Sequence, residues 1–234
     1  MPFLNRLNSV KKAFFVGAIV LLMPILFLVV YYQIIKSKPF TAASGKENQV
    51  VRAAINYPAM YNFRQSINDC GPYAAAAVIR VMKNVPIDSQ ELVKKLSIRL
   101  PSGGTMPHSL NKVLSKYGIL THEENFAAPE ITDQMRLDQL TRYITNGHPV
   151  ILLGRKNGVQ HYITILGYEK NGEKISFDVY DSWHTKHQGG FTTDDNGDAP
   201  GNRTLSEDEL LDFWRGGGVF GLYRYYALIV LGKN

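Results

Sequence analysis

Only one cysteine, Cys70, stands among the 234 residues. A lone thiol excludes an internal disulfide, so the fold must stand on packing, which a domain of this length can do. In an oxidising compartment a single thiol needs a reason; catalysis is one, and a buried, inert cysteine is the plain alternative. Acidic residues are absent before residue 45, a stretch that carries Arg6, Lys11, Lys12, Lys36 and Lys38. From there on, 21 basic residues face 20 acidic ones, so the net charge of +6 belongs to the first forty residues. That location excludes nucleic acid as a partner. No internal repeat or low-complexity tract follows. With 45% hydrophobic and 20% charged residues, the chain is globular and not disordered.

The first forty residues read as a membrane segment. Residues 13–32 are apolar and uncharged. Twenty residues make about 30 Å of helix, the thickness of a bilayer's hydrocarbon core. Tyr31 and Tyr32 stand where an interfacial aromatic pair belongs, and Pro24 is tolerated in such spans. A cleaved secretory signal would be shorter, with a small-residue site close behind it. Here Thr41-Ala42-Ala43 lies well beyond the run. The reading is therefore a basic segment at 1–12, an uncleaved transmembrane anchor at 13–35, a polar tether at 36–50 and one domain at 51–234. Three basic residues in front of the span against two behind it predict a single-pass protein with a cytoplasmic N-terminus and an extracytoplasmic domain.

Within the domain, helices come first and strands second. Residues 71–83 are Ala-rich, with Pro72 in the first turn. Asp88 can cap a helix over 89–97, with Glu91 three residues on. Thr105 can cap another before Pro107, ended by Gly118, and residues 132–146 form a fourth. Strands are expected at 149–154, 160–167 and 174–181, with Asn171-Gly172 turning the last pair. A short helix over 206–214 precedes a last strand over 222–231. The fold class is α+β, with N-terminal helices packed on an antiparallel sheet.

The string R-Q-S-I-N-D-C-G-P-Y carries the chemistry. It places Cys70 at a helix start, where the positive end of the helix dipole favours thiolate, the nucleophilic form. Gly71 lets a substrate carbonyl approach the backbone. The Cys70 N–H and the Gln65 side chain can both donate to a developing oxyanion, as acyl transfer requires. Of six histidines, His161 is the candidate base, because it stands inside the apolar strand H-Y-I-T-I-L-G. Asp181 ends the strand V-Y-D that the Asn171-Gly172 turn would pair with it. With Lys170 opposite Glu173, Asp181 falls opposite Tyr162, one step from His161. Nucleophile, base and orienting carboxylate then follow triad logic. This chemistry requires no cofactor.

The strings Q-S-I-N-D-C-G-P, H-Y and D-S-W resemble the papain-like cysteine peptidases that remove double-glycine leaders from bacteriocins, and their stand-alone relatives. The resemblance runs from about Tyr57 to the C-terminus. It implies a papain-like cysteine peptidase fold, with Gln65 as oxyanion donor and Cys70, His161 and Asp181 as the triad. A peptide or protein substrate follows, with the bilayer as a second partner through the N-terminal helix. The transporter-linked leader peptidases are cytosolic domains fused to a pore and an ATPase, and this chain has neither. Two alternatives stand beside hydrolysis: acyl transfer to an amine on the same scaffold, and a non-catalytic peptide-binding member.

Other features have plainer readings. His108, His122 and His148 sit near helix starts or loops. His184 and His187, three apart on a loop, lack the partners a metal site needs, so no metal is expected. Residues 194–198 (D-D-N-G-D) depart from a calcium loop in the place of their glycine and at position twelve, where Leu205 stands. Gly216-Gly217-Gly218 turns the chain. The sequon Asn202-Arg203-Thr204 has meaning only in a eukaryotic secretory pathway.

Overall fold

A computed structural model of the chain describes residues 52–96, 99–184, 198–218 and 222–233. The expected basic segment, membrane anchor and tether lie outside the described residues, as do His187 and 194–197. Among the described residues no helix is long and apolar enough to cross a membrane.

Five α-helices are described, α1 (Cys70–Lys83), α2 (Ser89–Lys95), α3 (Pro107–Lys116), α4 (Asp133–Thr145) and α5 (Glu207–Arg215), besides a short 3-10 turn at Ala59–Tyr61. Their limits follow local chemistry. Asn84 stops α1 in the left-handed region at φ 54°, which asparagine tolerates better than other non-glycine residues. Asp88 accepts from the Gln90 N–H to start α2, and Thr132 from the Met135 N–H to start α4. Ser206 and Glu209 form a reciprocal capping box on α5. One expected cap is wrong. Met106 precedes Pro107 as the α3 N-cap and makes no side-chain bond, while Thr105 pairs with Arg99 in an isolated bridge. The residue before a proline is driven to extended backbone, and that places the boundary one residue later.

Among the described residues seven strands form one antiparallel sheet: β1 (Arg52–Ala54), β2 (Ile119–Asn125), β3 (Val150–Lys156), β4 (Val159–Asn171), β5 (Lys174–Tyr180), β6 (Arg203–Ser206) and β7 (Tyr226–Lys233). The order is β2-β7-β3-β4-β5-β6, and β1 pairs with the far half of β4. The expected α+β class is found. Strands β1, β2 and β6 were not legible in advance, being short or, in β2, rich in charged and polar residues. Asn157 and Gly158, with φ of 49° and 79°, form a two-residue hairpin turn between β3 and β4. Both strands therefore run closer to the turn than the hydrophobic pattern suggests.

Helices cover both faces of the sheet. On one side Ala74–Ala76, Val78 and Ile79 of α1 pack with Leu92, Leu110 and Leu114 against Ile151, Tyr162 and Leu228. On the other, Leu137 and Leu140 of α4 and Leu210 and Trp214 of α5 pack against Leu152, Ile163, Val179 and Ile229. Each fully buried Leu or Ile contributes roughly 1.5–3 kcal/mol relative to exposure.

The β4–β5 register differs from the expected one. Asn171 pairs with Lys174, so Gly172 and Glu173 form the turn, with Gly172 at φ 62°. A bulge between Ile165 and Gly167 then shifts the pairing, and Thr164 faces Tyr180. Continued by one residue, that register sets Asp181 opposite Ile163 and not Tyr162. The correction matters because residues directly opposite share a face. The expected pairing would have put Asp181 and His161 on opposite faces; the observed one makes them diagonal neighbours on one face.

Candidate active site

The site forms where the start of α1 meets the start of β4. Asp69 precedes α1 but makes no side-chain cap. Its carboxylate is held instead by Arg99 at 2.7 Å, and Arg99 also donates to the Asn68 and Gly103 carbonyls. The first-turn amides of the helix are thus left without a side-chain acceptor, and Cys70 occupies its first position. Gly71 has a different role from the expected one. A Cβ there would lie 2.8 Å from the Thr105 side chain, so glycine lets the loop before α3 press against the helix start. That space is filled by protein.

Cys70, His161 and Asp181 are 7%, 1% and 3% exposed, a burial that charged groups tolerate only when paired. The Cys70 thiol is within hydrogen-bonding reach of the His161 ring. On the other side, His161 Nε2 lies 2.8 Å from Asp181 Oδ1. With Nε2 so engaged, Nδ1 is the nitrogen left for the thiol. Burial favours the neutral imidazole, but the hydrogen bonds and charges of Asp181 and Cys70 outweigh it and raise the His161 pKa above 6.5. The edges of Trp183 and Phe213 close the ring in, with centroids at 5.6 and 6.3 Å.

Asp181 stands just past β5 and is held by several groups that the sequence did not single out. Its Oδ1 also accepts the Trp183 N–H at 2.9 Å. Lys156 Nζ approaches Oδ2 to 2.5 Å, and Arg203 Nη1 lies 3.5 Å from the same oxygen. Burial alone would raise this carboxyl; His161 and Lys156 hold it well below the usual carboxylate range. Asn202 clamps the backbone, accepting the Asp181 N–H and donating to its carbonyl at 2.8 and 2.9 Å. The asparagine of the sequon is therefore a buried structural element.

Gln65 approaches the same corner. Its backbone N–H donates to the Ser182 carbonyl at 2.9 Å, and the Ser182 hydroxyl donates to Gln65 Oε1 at 2.7 Å. Oε1 is occupied, so the Nε2 amide end is presented elsewhere. Gln160, beside His161, ties down the glycine run after α5 through the Gly216 carbonyl and the Gly218 N–H.

Of the other histidines, His108 faces Glu123 at 3.9 Å and His122 is exposed on β2. Among the described residues, no three potential metal ligands come together. Lys156, Ser182 and Asn202 were missed because each has an ordinary surface residue's identity. The Asn157-Gly158 turn was the available signal for Lys156, since it fixes that residue as the last of β3, beside the strand that carries His161.

Several solved structures are similar. The peptidase domain of Streptococcus ComA, a bi-functional ABC transporter, matches at TM-score 0.46 and 16% identity, over 73% of this chain and 97% of that one. A double glycine motif protease from an AMS/PCAT transporter, in complex with the leader peptide, gives 0.45 and 11%, over 76% and 94%. UfSP from C. elegans gives 0.46 and 18%, over 78% of this chain and 34% of that one. No curated protein matches the sequence. Residues 54–198 match the Peptidase_C39 like family. That match spans more than half of the sequence: the chain belongs to the Peptidase_C39 like family and is a cysteine peptidase.

Proposed function

We propose that the chain is a membrane-anchored peptidase that hydrolyses peptide bonds with Cys70 as nucleophile, His161 as general base, Asp181 as orienting carboxylate and Gln65 as oxyanion donor. The observation that carries this reading is the position of His161, which bonds Asp181 through Nε2 and also interacts with the Cys70 thiol. His161 Nδ1 takes the Cys70 proton and the thiolate attacks the substrate carbonyl carbon. Gln65 Nε2–H and the Cys70 N–H bond the developing oxyanion. The imidazolium then protonates the leaving amine, which departs and leaves a thioester. Water, deprotonated by His161, attacks that thioester and releases the acid and the free thiol. Ile67, three residues before Cys70 in the chain, is 88% exposed, an apolar surface in keeping with a peptide substrate.

Anchorage rests on the sequence alone: the apolar run at 13–32, within the anchor at 13–35, sets the domain on a bilayer, with the N-terminus cytoplasmic and the domain outside. The test uses the full-length chain in membranes. A peptide carrying a thiol-directed warhead labels the wild type and leaves C70A unlabelled, while C70A retains bound substrate that the wild type cleaves. Equal cleavage by C70A overturns the catalytic reading. Release of the chain by alkaline carbonate, or protection of the domain from protease on the outer side, overturns the membrane part.

A further inference from the structure

Lys156 is not part of the triad, yet four-fifths of its side chain is buried against it. Its ammonium donates to Asp181 Oδ2 and to the Trp183 carbonyl, and lies 5.5 Å from the centre of the Trp183 ring. Taking an ammonium this far out of water costs several kcal/mol unless a partner offsets it. Holding Asp181 in place does not account for that cost. The Trp183 N–H already fixes Oδ1, and Asn202 grips the backbone on both sides. What the lysine adds is charge on the carboxylate oxygen that His161 does not use.

We propose that Lys156 is a positioning residue that acts through Asp181: by sharing that carboxylate with His161, it sets the pH window in which Cys70 and His161 exist as a thiolate–imidazolium pair. This rests on the triad reading above. Among the described residues the groups that bear on the window are few, and Tyr162 of β4, its ionisation disfavoured by burial, is the neighbour on the Cys70 side. His161 faces Asp181 from β5, Cys70 from α1, and the uncharged Trp183 and Phe213. Asp181 faces His161 from β4, Lys156 from β3 and Arg203 from β6, with Asn202 neutral and Tyr180 next in the chain. Arg203 is 44% exposed and further away, so water and salt screen it. Lys156 is the nearer and drier cation.

The sign follows from charge. A buried cation near the pair disfavours imidazolium and favours thiolate. Its removal raises both the pH at which Cys70 loses its proton and the pH at which His161 does, and the whole window moves to higher pH. A charge in direct contact shifts a pKa by about 1–3 units; acting through Asp181, Lys156 is expected to move the window by roughly half a unit.

Because Cys70 is the sole cysteine, its alkylation by iodoacetamide reports the pair without a known substrate. The rate is measured against pH on the full-length chain in detergent, for wild type, K156M, K156R and H161A. In K156M the half-maximal pH rises by roughly half a unit, while K156R, which keeps the charge, stays with the wild type. If K156M loses its cooperative thermal transition, K156Q carries the same expectation. A K156M or K156Q profile that superimposes on wild type, or a K156R profile shifted as far as theirs, overturns the proposal. The H161A profile separates the two levels. If it matches wild type, the triad reading fails; if it changes while K156M does not, only the role of Lys156 fails.

Discussion

His161 Nε2 and the Trp183 N–H converge on one oxygen of Asp181, at 2.8 and 2.9 Å. That oxygen therefore does two jobs: it holds the imidazole with Nδ1 toward Cys70, and it anchors the backbone that carries the Trp183 ring over the histidine. D181N keeps the shape but removes the charge. Turnover is expected to fall by about 10²–10⁴-fold, the range for losing a properly oriented general base. Asp181 also contributes to the raised pKa of His161, so the alkaline limb of the pH–rate profile should move to lower pH. Steady-state rates from pH 4 to 10 measure both effects. An unchanged alkaline limb counts against the carboxylate's role.

The same pair gives stability a pH dependence. The Asp181 pKa lies below its unfolded value of 3.8, so its contribution is complete above that value and is lost as pH falls through the folded one. The His161 pKa lies above 6.5, so its contribution is complete below 6.5 and is lost as pH rises through the folded value. Together they stabilise the fold most between about pH 4 and 6.5. Urea unfolding across pH should show a flatter profile for D181N than for wild type.

Gln65 is expected to act only on the transition state. Q65A should lower kcat by about 10²–10³-fold, with KM nearly unchanged, as for loss of one oxyanion donor. A rise in KM at constant kcat would make it a substrate-binding residue. Ser182 orients the same carboxamide through a 2.7 Å bond, so S182A should show a smaller loss of the same kind.

N202A leaves the Asp181 N–H and carbonyl without partners in the interior. Each such orphan costs about 1–3 kcal/mol. Equilibrium urea unfolding should register a loss of about 2–6 kcal/mol. Activity should fall as well, since Asp181 is no longer fixed. Full stability in N202A would mean that water replaces the clamp.

Gly154 pairs with His161 across β3 and β4. A Cβ at this position would overlap the Phe213 ring and its carbonyl oxygen. G154A should cost about 1–3 kcal/mol, the usual penalty of overpacking. Phe213 also walls the His161 ring, so turnover should drop although no polar group is touched. Wild-type turnover with lowered stability would separate packing from catalysis.

What could be read in advance divides along physical lines. Cys70 and Gln65 sit five residues apart in one local string, and the helix after them follows from its alanines and Pro72. His161 stands out as a polar residue inside an apolar strand. Asp181 was reachable through the hairpin, although the expected register had the wrong parity; only the bulge near Leu166 brings it onto the histidine's face. A bulge leaves no composition signal. Strand β2, Ile119–Asn125, carries two glutamates and a histidine and takes its structure from pairing with β7. Lys156, Ser182 and Asn202 are defined by what they touch, 25 residues or more away in the chain for the lysine and over 100 for the serine.

The run Ala74–Ala77 in α1 is almost completely buried, and the Thr164 hydroxyl donates to the Ala74 carbonyl from β4. Ala77, clustered with Leu166 of β4 and Tyr180 of β5, helps to set the stand-off between the helix axis and the sheet. The sulfur rides on the helix and the imidazole on the sheet, so in the proposed mechanism that spacing is the gap their proton crosses. Widening it with a single bulky side chain, as in A77L, should lower turnover without altering any group of the proposed triad.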